Sequence, residues 1–497
     1  MAFSLFCAFV AVFYGVLLFF DLFFKSCMHY PYFAFMEHTG LKVGFFNFTW
    51  TTTAFNRFLL RRRGKRTTRF LQKFFTFGSF ITIVAFLPFS LWTIIRVPLN
   101  EMAPDLTEKT TVTAIVPGVN LPLDDFWIYF MSIAVSTVLH EFGHALAAVN
   151  EDVQLLSFGI TVYAILPMAY VQLNTDHLNS LSINRRLRIY CAGVWHNLVT
   201  ALIALLLFLA TPTLFSLAYK SNLGVRVTGI PDYSPLKGER GIGHEDVITS
   251  LNGCKVNNAL DWRNCLMKSH ERYGLCITAE YISQNDEMIV EAYQHDNAYV
   301  CCKLNYMDSL CFEYIEPKTV DADVVVLPGQ FYCLEPRKIV ENSYQLCTEA
   351  DEYRCKKNHH CLRPSLNNAT YLLILQRQQY HPVLYLGTPR ELEVLTVDQY
   401  FPRLNVLSLF SPKQFERFTY FVFIFSMGIG FLNVIPCYGA DGHHIARNLI
   451  QLLAQYLNKD SNFVTLYTMI TIIFGTIVTW VSLFYLFLRA IMQSGLD

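Results

Sequence analysis

The chain has 497 residues, of which 53% are hydrophobic and 16% are charged, and its mean hydropathy is +0.31. Because a soluble chain averages about 25% charged residues, this composition excludes an ordinary soluble protein and indicates a membrane protein with the lipid bilayer as its partner. The 39 basic residues balance the 39 acidic residues, which excludes the basic field that nucleic-acid binding requires.

Six apolar stretches are long enough to cross a hydrocarbon layer about 30 Å thick. The predicted spans are residues 2–24, 75–97, 126–149, 198–217, 418–436 and 463–488. The first span lacks the basic start and the cleavage site of a signal peptide, so we interpret it as a retained anchor. A shorter run, residues 155–171, contains Gly159 and Pro167 and is rich in β-branched residues, which favours a re-entrant or interfacial hairpin.

Lysine and arginine residues cluster before the second and fourth predicted spans, and such clusters favour the cytosolic side. The first cluster lies within residues 57–73, and the second comprises Arg185, Arg186 and Arg188. Alternation of the spans then places residues 218–417 in a lumen. Asn368 lies in a glycosylation sequon on that side, whereas a second sequon at Asn47 falls in a loop that we expect to be cytosolic.

The predicted lumenal segment is rich in cysteine, and an even number favours disulfides in an oxidising compartment. The ten residues are Cys254, Cys265, Cys276, Cys301, Cys302, Cys311, Cys333, Cys347, Cys355 and Cys361. Val225 and Val227 alternate with polar residues, and a Gly-rich turn, a strand ending at Asn252-Gly253 and an amphipathic stretch follow. This order resembles a PDZ domain, with an arbitrary small α/β module as the alternative.

These observations predict a polytopic α-helical membrane protein with a PDZ-like and cysteine-rich insert. The predicted regions are an N-terminal anchor, basic loop and second span (1–97), a catalytic membrane core (98–217), a PDZ-like domain (218–275), a cysteine-rich region (276–417) and a C-terminal membrane core (418–497).

The third predicted span contains the residues that carry chemistry, in the run His140-Glu141-Phe142-Gly143-His144. Histidines four apart project about 40° apart on one helical face, close enough to share a metal. In this H-E-x-x-H pattern neutral imidazoles bind Zn²⁺ and the glutamate acts as general base. An ionisable cluster inside a membrane helix is costly, which favours a functional site with one Zn²⁺ per chain over a structural His-Glu pair.

Two histidines leave zinc short of a protein ligand, and the end of the fifth predicted span offers candidates. Pro436 breaks the helix before Asp441 and Gly442 follows it, which lets the carboxylate turn inward. By parity the third and fifth spans run in the same direction, so both candidate groups lie near the cytosolic ends of their helices. We favour Asp441 as the third ligand; His443 and His444 are rival ligands, to which we assign interfacial or supporting positions.

Together, H-E-x-x-H in one membrane helix and Asn-x-x-Pro-x-x-x-x-Asp-Gly in a later one (residues 433–442) resemble the site-2 proteases, a family of intramembrane zinc metalloproteases. The order of the remaining segments is similar to that of the eukaryotic members. The resemblance implies regulated intramembrane proteolysis in the Golgi or endoplasmic reticulum. The implied substrates are membrane-anchored transcription-factor precursors, such as the sterol-regulatory element-binding proteins, cut after a first lumenal cleavage.

The same resemblance implies that His140, His144 and Asp441 are zinc ligands and that Glu141 is the catalytic base. Asn197 matches an asparagine that faces the site in the family. As a neutral donor it would hold the oxyanion of the tetrahedral intermediate, with a helix-packing amide as the alternative. The chain departs from the family's usual residues around the aspartate, at 438–440 and at 443–444.

Two other classes of protein are alternatives. A membrane zinc protease of the prenyl-processing type is expected to supply a glutamate as third ligand, whereas this chain offers Asp441. A non-enzymatic polytopic scaffold or transporter is expected to lack the base or to contain internal repeats, whereas this chain has Glu141 and no visible repeat.

Overall fold

A computed structural model of the chain forms two compact units. The membrane unit comprises Met1–Thr211 and Gln414–Asp497, and the insert unit comprises Pro212–Lys413. The structure describes residues 2–54, 56, 65–102, 125–237, 241–288, 291–302, 309–315, 330–343, 345–347, 355–356, 358–403 and 411–494.

The first part of the membrane unit alternates apolar helices with four strands. Its helices are α1 (Ala2–Ser26), α2 (Tyr30–Thr39), α3 (Lys65–Ile81), α4 (Leu87–Met102), α5 (Phe126–Asn150), α6 (Thr175–Ser180) and α7 (Ile183–Leu214), with a π-helical turn at Thr82–Phe86 between α3 and α4. Its strands are β1 (Leu41–Gly44), β2 (Asn47–Thr52), β3 (Leu155–Tyr163) and β4 (Leu166–Leu173).

The insert unit is rich in short strands. Its strands are β5 (Tyr219–Lys220), β6 (Val225–Gly229), β7 (Val247–Leu251), β8 (Cys254–Lys255), β9 (Gly274–Thr278), β10 (Tyr293–His295), β11 (Ala298–Val300), β12 (Leu310–Ile315), β13 (Phe331–Leu334), β14 (Leu346–Cys347), β15 (His359–Pro364), β16 (Tyr371–Arg377), β17 (Val383–Gly387), β18 (Thr396–Asp398) and β19 (Phe401–Pro402). Its helices are α8 (Ala259–Lys268), α9 (Ala279–Asn285), α10 (Pro336–Asn342) and α11 (Arg390–Glu393). The chain then returns to the membrane unit through α12 (Pro412–Val434), α13 (Asp441–Tyr456) and α14 (Ser461–Ser494).

Six helices among the described residues are long and apolar enough to cross a membrane, which confirms the predicted number of spans. They are Ala8–Ser26, Thr68–Val97, Phe126–Asn150, Ile183–Leu214, Pro412–Val434 and Ser461–Ala490. The fourth begins at Ile183 and not at residue 198, so Arg185, Arg186 and Arg188 lie inside a helix and not in a loop before it. The helix tolerates two of these charges because Glu151 pairs with Arg185 and Arg188.

The face of α5 that carries the two histidines also carries Ser132 and Ser136, each four residues from the next. The Ser426 hydroxyl of α12 donates to Ser136 Oγ at 2.9 Å, and Ser136 Oγ donates to the Ser132 carbonyl at 2.8 Å. Small polar side chains let membrane helices approach closely and hydrogen-bond across their interface. This contact fixes α12 beside the histidine-bearing helix.

The predicted hairpin at residues 155–171 is confirmed as strands β3 and β4 of an antiparallel sheet with the order β1-β2-β3-β4. Trp50 lies opposite Ile160, and Ile160 lies opposite Ala169, so the three side chains share one face. Phe158 of the same face packs in a cluster with residues of α5 and α7. The sheet therefore covers one side of α5.

Two larger sheets make up most of the insert unit. One has the order β17-β16-β7-β6-β18, with β8 paired to β7, and the other has the order β13-β12-β15-β9-β14. The predicted strands around Val225 and before Asn252-Gly253 and the predicted amphipathic helix appear as β6, β7 and α8. The first sheet also takes strands from residues 371–398, beyond the predicted boundary at 275, because β7 pairs with β16, with Leu251 opposite Leu375.

All ten cysteines of the insert form disulfides, as their even number predicts. The pairs are Cys254–Cys265, Cys276–Cys355, Cys301–Cys311, Cys302–Cys333 and Cys347–Cys361.

Candidate metal centre and active site

Three predicted ligand atoms converge between α5 and the start of α13. His140 Nε2 and His144 Nε2 each lie 3.0 Å from Asp441 Oδ2, and the two nitrogens lie 3.2 Å apart. Tetrahedral zinc with bonds of about 2.0–2.1 Å would hold its ligand atoms roughly 3.3 Å from one another. The spacing therefore fits a single zinc ion.

The hydrogen bonding of His144 is compatible with a metal at this group of atoms. Its Nδ1 donates to the Ile189 carbonyl at 2.8 Å, so Nε2 of the neutral ring carries a lone pair. That lone pair faces the Asp441 carboxylate oxygen, and two buried acceptors 3.0 Å apart repel each other unless a positive charge lies between them. The donor set thus fits a metal on chemical as well as geometric grounds.

Asn197 of α7 contacts the other predicted ligand. Its Nδ2 lies 3.0 Å from His140 Nδ1, and its own Oδ1 is buried with no hydrogen-bond partner among the described residues. Amide oxygen and nitrogen have nearly the same shape, so their exchange is a matter of assignment. With Oδ1 toward the ring, Asn197 accepts the Nδ1 proton, and the lone pair of His140 Nε2 is free for a metal.

Gly193 forms the wall nearest to the donor atoms. A Cβ at this position would lie 2.3 Å from His144 Nε2 and 2.6 Å from His140 Nε2. Any side chain would therefore enter the space that a metal would occupy, so glycine keeps the centre open.

Asp441 reaches the histidines because the chain turns sharply between α12 and α13. The first helix ends at Val434, before Pro436, and Gly439 adopts φ +87°, a left-handed conformation that favours glycine. A Cβ at Gly442 would lie 2.0 Å from the Ile435 carbonyl, so the turn closes only with glycine there. The predicted Pro-Gly bracket therefore presents Asp441 as the first residue of α13.

Glu141 lies on the neighbouring face of α5, outside the group of three donors. Its Oε2 accepts a hydrogen bond of 2.9 Å from the Val171 backbone amide of β4. The sheet thus orients the carboxylate next to the candidate metal centre, where a general base is needed.

His443 and His444 stack with Tyr190 and do not join the donor group. The Tyr190 and His444 ring centroids lie 4.6 Å apart with planes inclined by 8°, and the two histidine rings lie 4.9 Å apart. Burial lowers the pKa of His444, and the neighbouring His443 lowers it further, so a neutral ring is favoured in the stack. The geometry gives these residues packing positions.

Three groups at the site were missed by the sequence analysis. The Ile189 carbonyl and the Val171 amide belong to the backbone, so residue type does not predict them. Gly193 lies four residues before Asn197 on α7, and a glycine amid apolar helix residues is a usable signal of close approach.

Comparison with known proteins gives two results. The model of Peptidase family M50 matches residues 128–476, which include all but the first two residues of α5, together with α7, the insert unit and Asp441. A protein described as "Membrane-bound transcription factor site-2 protease homolog", from Arabidopsis thaliana, is 29% identical over 201 residues. That alignment covers 40% of this chain and 39% of the relative.

Proposed function

The chain belongs to peptidase family M50, a family of zinc metalloendopeptidases, and on that premise we propose that it cleaves peptide bonds within membrane-spanning segments. The proposed zinc ligands are His140, His144 and Asp441, and the proposed general base is Glu141.

One observation carries the proposal: two imidazole nitrogens and a carboxylate oxygen converge within 3.2 Å. The imidazoles lie on α5, a candidate membrane span, and the carboxylate lies at the start of α13. Desolvating such groups is costly unless they bind a cation, and a structural pair does not need a third acceptor. A prenyl-processing protease is expected to place a glutamate third, whereas Asp441 stands there.

Each residue of the proposed site has a separate role in peptide hydrolysis. A zinc ion, when bound, supplies Lewis-acid chemistry at the scissile carbonyl. Glu141, oriented by the Val171 amide, takes a proton from the attacking water and returns it to the leaving amine. The Ile189 carbonyl and Asn197 hold the two imidazoles with Nε2 directed at the centre.

The proposed substrates are membrane-anchored transcription-factor precursors of the sterol-regulatory element-binding protein type, cut after a first lumenal cleavage. The proposed location is the membrane of the Golgi or endoplasmic reticulum, with the active site near the cytosolic side and the insert in the lumen. The name of the plant relative and the five disulfides of the insert support these proposals.

Helix physics supplies a test of the substrate class. A scissile carbonyl inside a transmembrane helix is hydrogen-bonded within that helix, and exposing backbone groups in hydrocarbon costs several kcal/mol each. Residues such as Asn, Gly or Pro near the bond lower the cost of opening the helix.

The experiment uses purified protein reconstituted with single-span substrates. A substrate with a weak helix and a trimmed lumenal part should be cut, whereas a poly-Leu span, or the same span with a large lumenal domain, should resist. Equal rates for the weak and poly-Leu spans would contradict the opening step. Equal rates for trimmed and intact substrates would contradict the requirement for a first cut.

A further inference from the structure

A pocket of about 150 Å³ lies between α5 and the strand face described above. Its floor contains Trp50, Ile160 and Ala169, which lie side by side on β2, β3 and β4. Val138 and Glu141, three residues apart on one face of α5, form part of the opposite wall. We call this space the Glu141 pocket.

The pocket suits an apolar group of a particular size. An apolar cavity of this volume in another protein takes up benzene, so a leucine, isoleucine or phenylalanine side chain fits. The hollow exists because Ala169 is small where its neighbours across the sheet, Ile160 and Trp50, are large. A larger residue at 169 would fill it.

Glu141 lines the pocket and is also the proposed general base. It is the charged member of the lining, and a general base must lie within hydrogen-bond reach of the water that it activates. A group in the pocket therefore lies beside the reacting atoms. In a peptide substrate, only the two residues that flank the scissile bond have side chains this near to it.

We propose that the Glu141 pocket receives one apolar side chain of a residue flanking the cleaved bond, and that its volume selects which side chains are accepted. The inference rests on the proposed protease function and adds a specificity determinant to it. One methylene in such a pocket changes specificity by roughly 10- to 200-fold.

The test uses a set of single-span substrates that are identical except at the two flanking residues, each replaced in turn by Gly, Ala, Leu or Phe. In the wild-type protein, Leu should be preferred over Gly at one of the two positions by at least about 10-fold. Ala169→Phe should reduce that ratio to about twofold or less, because it fills the pocket. Ile160→Ala should raise the ratio of Phe to Leu, because it enlarges the pocket.

Met168→Phe is the matched control. Met168 precedes Ala169 on β4, pairs with Thr161 and points to the opposite face, where it is 41% exposed. This variant should keep the wild-type ratio. Because glycine weakens the substrate helix in every assay alike, the comparison between variants isolates the effect of the pocket. An unchanged ratio in both Ala169→Phe and Ile160→Ala, or equal slowing of all substrates as expected for a bound lipid chain, would overturn the inference.

A second readout does not depend on cleavage. A substrate with photo-leucine at the selected flanking position, bound to the Glu141→Gln variant, should crosslink to the peptide that contains Ile160. Crosslinking without any cleavage by the wild-type protein would contradict the proposed function and retain the pocket. Cleavage with no crosslink to residues 158–169 would contradict the pocket and retain the function.

Discussion

Both imidazoles of the candidate metal centre are held at the ring nitrogen that faces away from the donor group. The Ile189 carbonyl holds His144, and the Asn197 amide holds His140. Contacts of this kind fix the tautomer and the orientation of a metal-binding histidine. We therefore expect Asn197 to act on zinc affinity through His140 and not on the oxyanion.

Substitution of Asn197 separates these two roles. Asn197→Ala should weaken zinc affinity on the order of 10- to 100-fold, because His140 loses the acceptor for its Nδ1 proton. Asn197→Asp keeps an acceptor there and should retain most of the affinity. Competition with a chromophoric chelator measures both. If Asn197→Ala keeps the wild-type zinc affinity but cleaves more slowly, Asn197 holds the oxyanion and does not act through His140.

Gly193 is the second residue whose substitution tests the candidate metal centre. Gly193→Ala should abolish zinc binding while the helices stay folded, because the added methyl group would lie 2.3 Å from His144 Nε2. Zinc content and far-ultraviolet circular dichroism of the purified variant check the two parts.

Gly428→Ala is the control for that experiment. Gly428 lies in α12, and a Cβ there would meet nothing within 4 Å. Alanine favours helix over glycine by up to about 1 kcal/mol, so this variant should bind zinc and be at least as stable as the wild type. Zinc bound with wild-type affinity by Gly193→Ala would contradict the geometry of the centre.

Residue chemistry alone led to most of the candidate site. The i, i+4 spacing predicts that His140 and His144 share a face, and the Pro-Gly bracket predicts the turn that presents Asp441. The Val171 amide and the Ile189 carbonyl were beyond prediction, because backbone groups are alike in every residue. Their positions depend on how β4 and α7 pack against α5.

At the scale of elements, an ion-pair cluster joins the end of α5 to the start of α7. Glu151 accepts hydrogen bonds from Arg185 Nε at 2.6 Å and from Arg188 Nε at 2.7 Å, and its side chain is only 5% exposed. Arg188 directly precedes Ile189, whose carbonyl holds His144. The cluster therefore fixes the register of α5, which carries the two histidines, against α7, which carries the groups that hold them.

Glu151→Ala should destabilise the membrane unit by about 3 kcal/mol, because removing one partner of a buried pair leaves charge without compensation. Denaturant unfolding followed by tryptophan fluorescence measures the loss. A change below about 0.5 kcal/mol, typical of exposed pairs, would show that the cluster is not structural.

The same residue makes stability depend on pH. Burial alone would raise the pKa of Glu151, but hydrogen bonds from Arg188 and Arg185 outweigh it and hold the pKa below its ordinary value of 4.5. A lowered pKa gives stability that is complete above the ordinary value and is lost as the pH falls below it. Thermal unfolding between pH 7 and pH 3 should show this loss in the wild type and a smaller one in Glu151→Gln. Asp176→Asn, which changes an exposed carboxylate of α6, should behave as the wild type.

Local sequence patterns predict some of the helices and strands of this fold. Apolar length identifies the six spans, and β-branched content identifies the hairpin of β3 and β4. The early start of α7 was missed because arginine normally marks a loop, and the partner that compensates it, Glu151, lies more than thirty residues away. The pairing of β7 with β16 was missed for the same reason, since the strands are distant in the sequence.

At the scale of the whole molecule, the five disulfides all lie within the insert unit. Cys276–Cys355 closes the longest loop, with a sequence separation of 79, whereas Cys301–Cys311 closes one of 10. In the chain-entropy account these crosslinks stabilise by about 4.5 and about 2.7 kcal/mol, because a longer loop restricts the unfolded chain more. The cysteine count predicted the crosslinks, but the pairing needed the sheet.

Reductant should accordingly unfold the insert unit before the membrane unit. Limited proteolysis after mild reduction should cut first within residues 212–413. Without reductant, the exposed Cys27 should alkylate and the ten paired cysteines should not, as mass spectrometry can count. Ready alkylation of all ten would contradict the pairing and the predicted oxidising compartment.

The most direct test of a zinc peptidase with Glu141 as its base is to measure zinc content and cleavage together in three purified proteins. The wild type should bind one zinc and cut the weak-helix substrate. Glu141→Gln should keep the zinc and lose at least about 100-fold in rate, because the base is not a ligand. Asp441→Asn should lose most of the zinc and the activity. Zinc loss in Glu141→Gln, or full zinc retention in Asp441→Asn with His443 or His444 as the third ligand, would contradict the account.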